Sequence, residues 1–252
     1  MIKFISIVFF IVYSISAITC PLRDITFITE EYPPHSYIEN NVLQGIVVDI
    51  LIAASSSVNC KVERSEIRVL PWARGYKRVL SERNVVLFGM SRTVEREKLF
   101  TWVGPIMEVN NSLIARKDSK IKITTVADLH NIRIGAVRDD IGERVIVNLG
   151  ISKSGIYFSS YPQNLAKMLA QGRIHAWSYD DIVGYWMLDN LGYNSKDFEV
   201  VYVVSKTKTH FAFNKNSNPD AVKLLQKGVD IIKGKPKDGI YSPLDIIIKK
   251  YL

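Results

Sequence analysis

PWARGYKRVLSERNVVLFGMSRTVEREKLFTWVGP, residues 71–105, decides how this chain of 252 residues is read. A helical segment over 71–81 leads into the apolar, strand-length run Val85-Val86-Leu87-Phe88, which Gly89 closes. Directly past the carboxyl end of that strand stand Ser91, Arg92, Thr93 and Arg96. In open α/β sheets ligands bind in the crevice at that end of the strands. Arginine is the side chain suited to holding a planar carboxylate through two parallel hydrogen bonds. The pattern points to a carboxylate-holding cleft. Read locally, it fits a surface turn with solvated arginines equally well.

Outward from this stretch, strands and helices alternate. Strand-like runs at 25–29, 61–70 and 85–89 enclose helices at 45–57 and 71–81. After an extended run at 100–105 and a second at 112–116, a short helical turn at 125–129 opens another series. It comprises strands at 132–137, 155–159 and 174–179 and helices at 140–149, from 162 to the stop at Gly172, and at 181–191. Strands at 199–204 and 210–213 and helices at 219–233 and 237–251 finish the chain. Such alternation predicts parallel sheets covered by helices on both faces, here in two series joined by two extended crossings near 112–116 and 204–213. The expected division is residues 18–111 with 206–252 as one lobe and 112–205 as the other, with the binding cleft between them.

The first residues, MIKFISIVFFIVYSISA, have a positive start at Lys3, an apolar stretch and a small-residue cleavage site. The apolar stretch is short of the roughly 20 residues a membrane span needs, so residues 1–17 read as a cleaved secretory signal. No later segment is apolar and long enough to cross a bilayer, and the mature chain is expected outside the cytoplasm, in the periplasm. Losing Lys3 with the leader takes the net charge from +8 to +7. The positive charge is scattered without an aromatic-interleaved basic stripe, which argues against nucleic acid and leaves a mild preference for anionic partners.

The mature chain holds two cysteines, Cys20 and Cys60. In an oxidising compartment two half-cystines usually pair. A right-handed βαβ unit would bring both to one sheet edge, where a bridge closing about 40 residues contributes about 3–4 kcal/mol on the chain-entropy view. Two free thiols, or a lipidated Cys20, are the alternatives. His35, His130, His175 and His210 show no metal-ligand spacing. No G-x-S-x-G elbow or phosphate-cradling Gly-rich loop occurs. No catalytic residue, metal or cofactor is expected. Glu30 and Glu31 read first as a solvated edge, the lesser reading being that one of them lines the cleft mouth, and Arg74 serves equally to brace a lobe or to border a cleft.

EEYPPHSY, QGIVVDIL, PWARGY, GMSRTVEREKLF with WVGP, IGAVRDDIGE and LAKMLAQGRIHAWSYDD stand in that order along the chain. Together they resemble the extracytoplasmic solute-binding proteins of family 3, the amino-acid-binding class that serves ABC importers. The resemblance covers nearly all of the mature chain. It implies a two-lobed periplasmic-binding-protein-like α/β fold of type II, two hinge strands, an amino-acid-like ligand and an ABC permease as partner. It places Arg96 on the ligand carboxylate, Gly89 and Ser91 at the head-group turn, and Asp180 on the ligand ammonium, with Asp181 competing for that place. It sets Ile141 at a helix-N-terminal turn offering amide groups, and Tyr32 as a covering ring with Tyr37 and Trp72 nearby. The turn Arg138-Asp139-Asp140-Ile141 departs from the usual Gly/Ser/Thr-rich pattern and adds negative charge, while Arg92 adds a second cation. A basic or modified amino acid, or a small carboxylate, then competes with a neutral amino acid as ligand. Two other readings of the fold are a dehydratase acting on cyclic diene acids and a module that reports ligand to a membrane receptor.

Overall fold

In the computed structural model, residues 20–138, 140–237 and 239–251 are described. The run 26–29 forms β1 (Thr26–Thr29). A hairpin follows, β2 (Tyr37–Glu39) and β3 (Val42–Gln44), turned by Asn40 and Asn41 at φ 50° and 62°. Asparagine is among the residues that accept such a turn most readily. Then come α1 (Ile46–Ser57), β4 (Arg68–Val69), α2 (Trp72–Ser81) and β5 (Val85–Ser91). A 17-residue strand, β6 (Phe100–Arg116), leads into the second series. That series is β7 (Ile134–Val137), α3 (Ile141–Asn148), β8 (Ile156–Ser159), α4 (Pro162–Ala170), β9 (Ala176–Asp180) and α5 (Asp181–Asn190). A second 17-residue strand, β10 (Phe198–Asn214), returns, and α6 (Pro219–Lys233) and α7 (Pro243–Tyr251) close the chain.

The strands join in the order β4-β1-β5-β10-β6-β9-β7-β8. β1 lies parallel between β4 and β5, and β7 lies parallel between β8 and β9. β6 and β10 run antiparallel to each other from Phe198 opposite Arg116 to Asn214 opposite Phe100, with register shifts on the way. Each outer set of three parallel strands is one lobe's sheet, and the long pair threads both. In lobe 1 the alternation along β1 and β5 sends Phe27, Val86 and Phe88 to a core under α1 and α6, and Ile28, Val85 and Leu87 to one under α2. In lobe 2, Trp177 and Tyr179 pack under α4 and α5, while Ile134, Ala136 and Ala176 pack with Ile146 of α3.

Several elements differ from the sequence expectation. Of the run 61–70 only Arg68–Val69 is strand, because Arg64–Glu66 turns as a 3-10 helix whose Glu63 and Glu66 cap each other reciprocally. Arg64 there ion-pairs with Asp49 of α1 and donates to the Leu43 carbonyl at 3.0 Å. The extended runs at 100–105 and 112–116 are one unbroken strand, as are those at 199–204 and 210–213. The backbones of their polar middles, including Asn110, Asn111, Lys206 and Lys208, pair along the ribbon. The last helix begins at Pro243 rather than 237, with Ser242 and Asp245 each accepting the other's backbone amide at 3.1 and 2.9 Å. The leader, residues 1–17, lies outside the described residues.

Cys20 and Cys60 are bonded, with Cα atoms 5.3 Å apart and a sequence separation of 40. The bond ties the segment before β1 to the end of the α1 crossover. Closing a loop of that length removes about 4 kcal/mol of denatured-state freedom. Replacing both cysteines by serine is expected to lower the urea midpoint correspondingly. A reductant should reproduce the loss in the wild type and leave the double variant unchanged.

Candidate ligand cleft

The carboxyl end of β5 bends at Gly89, where φ is +79° and the side chain of Val47 packs close by, a backbone conformation that favours glycine. Ser91 ends the strand opposite Thr209 of β10, and its hydroxyl lies 3.2 Å from that of Thr207. The chain then turns through 92–99, and the Arg96 side chain folds back so that Nη1 donates to the Ser91 carbonyl at 3.3 Å. Its guanidinium lies 5.2 Å from the centre of the Trp72 ring and 5.5 Å from that of Tyr76. These rings are one turn apart on α2, four residues in sequence, and so share a face. An aromatic notch of this kind attracts a cation through the ring quadrupoles. Burial lowers the pKa of Arg96, with Tyr76 opposing and Arg144 adding to the shift. Among the described residues no carboxylate lies within ion-pair distance of Arg96. The second cation of the sequence, Arg92, is turned away. It is exposed, grips Glu97 with Nε at 2.7 Å and Nη2 at 2.5 Å, and stacks on Trp102. Arg74 is exposed on α2.

The opposite wall is acidic. Asp180 ends β9 and caps α5, its Oδ1 accepting the Val183 amide at 3.1 Å. Its Oδ2 lies 3.2 Å from Nε2 of His35, which reaches it from lobe 1, and both residues are buried. Asp181 faces elsewhere, accepting from Asn110 at 3.1 Å and Ser112 at 3.3 Å on β6. Ile141 begins α3 and brings no polar side chain, while Asp140 precedes it as the N-cap residue. Burial raises the Asp140 pKa, against the pull of the Ile141 and Gly142 amides and of Arg144. Gly142 lets α3 lie close on β9: a Cβ there would sit 2.5 Å from the Ser178 carbonyl oxygen. Asp139 lies outside the described residues.

Glu30, just beyond β1, overturns the expectation of a solvated edge. It is half-buried as a residue, and burial pushes its carboxyl up to about 7, with Asp140 adding to the shift and Arg96 opposing it. Its electrostatic neighbours are therefore both the acid of lobe 2 and the guanidinium of lobe 1. The cause is tertiary: Asp140 and Arg96, which act on it, lie far along the chain. Tyr32 stacks on His35 at 5.5 Å and meets Tyr179 edge-on at 6.3 Å, while Tyr37 lies 5.9 Å from Trp186. Burial raises the pKa of both Tyr32 and Tyr179.

The fold thus brings Arg96, Trp72, Gly89 and Ser91 to one side and Asp180, Ile141 and Asp140 to the other, with Tyr32 on the seam. Sequence reasoning passed over Tyr76, Tyr179 and His35, and gave Glu30 a place at the cleft mouth only as its lesser reading. Tyr76 had a usable signal in its helical spacing from Trp72. Elsewhere, His175 is held by its own lobe, its Nδ1 accepting the Arg133 amide at 3.0 Å. Among the described residues no group of three or more His, Cys, Asp or Glu is placed to hold a metal ion. No helix among them is long and apolar enough to cross a membrane.

Two α/β lobes threaded by two long strands, with charged side chains on the seam, have the build of a protein that takes a small molecule between its halves. The chain belongs to the bacterial extracellular solute-binding proteins, family 3, whose pattern matches residues 25–244. Its fold is similar to that of a histidine kinase sensor domain with similarity to periplasmic binding proteins, at TM-score 0.71 and 20% identity over 90% of this chain and 96% of that one. It is likewise similar to a mutant of ArgBP from T. maritima, at TM-score 0.68 and 19% identity over 91% and 95%. A third likeness is to ArtJ, the arginine-, lysine-, histidine-binding protein of Geobacillus stearothermophilus, at TM-score 0.69 and 16% identity over 90% and 95%. No protein of curated function matches the sequence.

Glu30 makes stability fall with rising pH. The unfolded carboxyl ionises near its ordinary 4.5, whereas the folded one keeps its proton up to about 7. The folded state therefore binds more protons across that window, and the contribution present at the acid end is lost by its upper end. Glu30→Gln is expected to flatten this part of the Tm-against-pH curve. An unchanged slope would place the carboxyl in water.

Proposed function

We propose that this protein captures a small amino-acid-like cation between two lobes, 18–111 with 206–252 and 112–205, by closing about the β6–β10 crossing. The observation that carries the reading is the charge balance of the cleft. Three acidic residues, Glu30, Asp140 and Asp180, outnumber two guanidinium groups, Arg96, which has no carboxylate partner among the described residues, and the exposed Arg144, which acts on Asp140. Arg96, steadied by Trp72 and Tyr76, suits an α-carboxylate, and Asp180 suits an α-ammonium. Glu30 and Asp140 suit a further positive group, so a cationic amino acid balances the cleft better than a neutral or acidic one. Gly89, Ser91 and the amides at Ile141 supply uncharged contacts, and Tyr32 closes over the ligand. Closure dries these pairs and strengthens them. ArgBP and ArtJ, similar in fold, carry names in the same chemical range.

The reading extends to the setting. Residues 1–17 act as the export signal, the mature chain works in the periplasm, and the closed form delivers its ligand to an ABC permease. A sensing role is the second reading, favoured by the likeness to a histidine kinase sensor domain. In that case the closed form engages a receptor ectodomain. Neither role includes turnover, so the ligand should be recovered intact, which separates both from a dehydratase of the same fold.

The test is calorimetric titration of the refolded mature chain with L-arginine, L-lysine, L-glutamine, L-glutamate and putrescine. The cationic amino acids should bind, L-glutamate should not, and Arg96→Ala should weaken binding at least about tenfold, a loss of about 1.5–3 kcal/mol for a charge-assisted pair. Preference for L-glutamate, or affinity within twofold after Arg96→Ala, would defeat the assignment. A cation placed beside Glu30 also lowers its pKa, so binding near pH 7 should release a proton. That release appears as a buffer-dependent heat, and Glu30→Gln should abolish it.

A further inference from the structure

His35 belongs to lobe 1 yet occupies an oxygen of the lobe 2 carboxylate that the proposed function gives to the ligand. Its loop is fixed from below: the Pro34 and His35 carbonyls accept the Ile46 and Val47 amides at the start of α1, at 3.0 and 2.9 Å. From that base the ring crosses the seam, and since a carboxylate only accepts, Nε2 donates to Oδ2 of Asp180 at 3.2 Å. Both side chains are at least nine-tenths buried, with 6% and 4% of their surface exposed. Oδ1 of Asp180 is taken by the Val183 amide at 3.1 Å. Oδ2 keeps a second lone pair, but with so little of Asp180 exposed an incoming ammonium reaches it only when the imidazole gives way.

We infer that His35 is an internal competitor for the ammonium subsite: it latches the two lobes together through Asp180, and the ligand must unlatch it to bind. A second feature of the ring supports a latch that releases. Nδ1 of His35 is buried without a hydrogen-bonding partner. A buried polar atom left unpaired weakens the state that contains it, so swinging the ring into solvent relieves Nδ1 while surrendering the bond to Asp180. The unpaired Nδ1 thus offsets part of what the bond to Asp180 and the stack on Tyr32 contribute to the latched form. Each molecule that is latched is withheld from the ligand, so the apparent affinity falls by the fraction still competent to bind.

This inference rests on Asp180 as the ammonium subsite, and its test separates the two. His35→Phe keeps a ring to stack on Tyr32 and removes the donor, and His35→Ala removes both. Wild type and variants are compared as refolded mature protein, by small-angle X-ray scattering without added ligand and by titration with L-arginine. The expected result is a larger radius of gyration for both variants and L-arginine affinity raised about fivefold or more, the lower end of usual coupling strengths. Unchanged compactness, or affinity lowered in both variants as for a ring that helps hold the ligand, overturns the latch. If L-arginine binds none of the three proteins, scattering alone decides: opening of the variants upholds the latch while the cationic-amino-acid reading fails.

Discussion

Everything about this molecule depends on the antiparallel pairing of β6 with β10. The two 17-residue strands stay hydrogen-bonded from Phe198 opposite Arg116 to Asn214 opposite Phe100, and each lobe's parallel strands are added to one flank or the other. β10 pairs with β5 in lobe 1, while β6 pairs with β9 in lobe 2. The pair is thus the inner strands of both lobes' sheets and, among the described residues, the only strand connection between them. Around its middle, near Asn110 opposite Lys206, the pair passes from the pairing of β10 with β5, which reaches Thr209, to that of β6 with β9, which begins at Asn111, and register shifts lie along its length. A ribbon of two strands bends and twists more easily than a sheet backed by helices.

That construction explains how charged groups come to face each other across the seam. Each lobe points the carboxyl ends of its parallel strands at the other: β1 ends before Glu30, β5 at Ser91, β7 before Asp140 and β9 at Asp180. Glu30 holds its proton up to about 7 because it is buried and lobe 2 contributes Asp140. Burial penalises Arg96 as well, and the rings of α2, more than any acid, oppose it. The electrostatics of the site are therefore a property of the pair of lobes and change whenever their separation changes.

Much of the scaffold was legible in the sequence because it is local. Gly45 before an apolar run, Pro71 ahead of Trp72 and Pro219 at the head of α6 mark helix starts by backbone chemistry alone, and Val85 to Phe88 is apolar enough to be a strand in any setting. The run 61–70 misled because alternating charged and apolar residues also suit a capped 3-10 turn, and the Arg64 pair to Asp49, fifteen residues earlier, decided between them. The polar middle of β6 was read as a break because its partner lies about a hundred residues on. In the cleft, Arg96 and Asp180 sit just where strand ends are visible in the pattern. Glu30 and His35 look like any polar residues of a proline-rich loop until the other lobe is in place.

The strand order also imposes a timetable. β10 lies between β5 and β6 in the sheet although it is the last strand made, and Phe211 and Phe213 from it fill the centre of lobe 1. Lobe 2 can pair β7, β8 and β9 and cover them with α3 to α5 from one continuous stretch. Lobe 1 must hold β1, β4 and β5 without their inner neighbour until residues 209–213 arrive, and without α6 for longer still. Such distant pairing slows folding. The half of the molecule that begins the chain is the half that finishes last, so a nascent chain keeps its first hundred residues unlocked until most of its length exists.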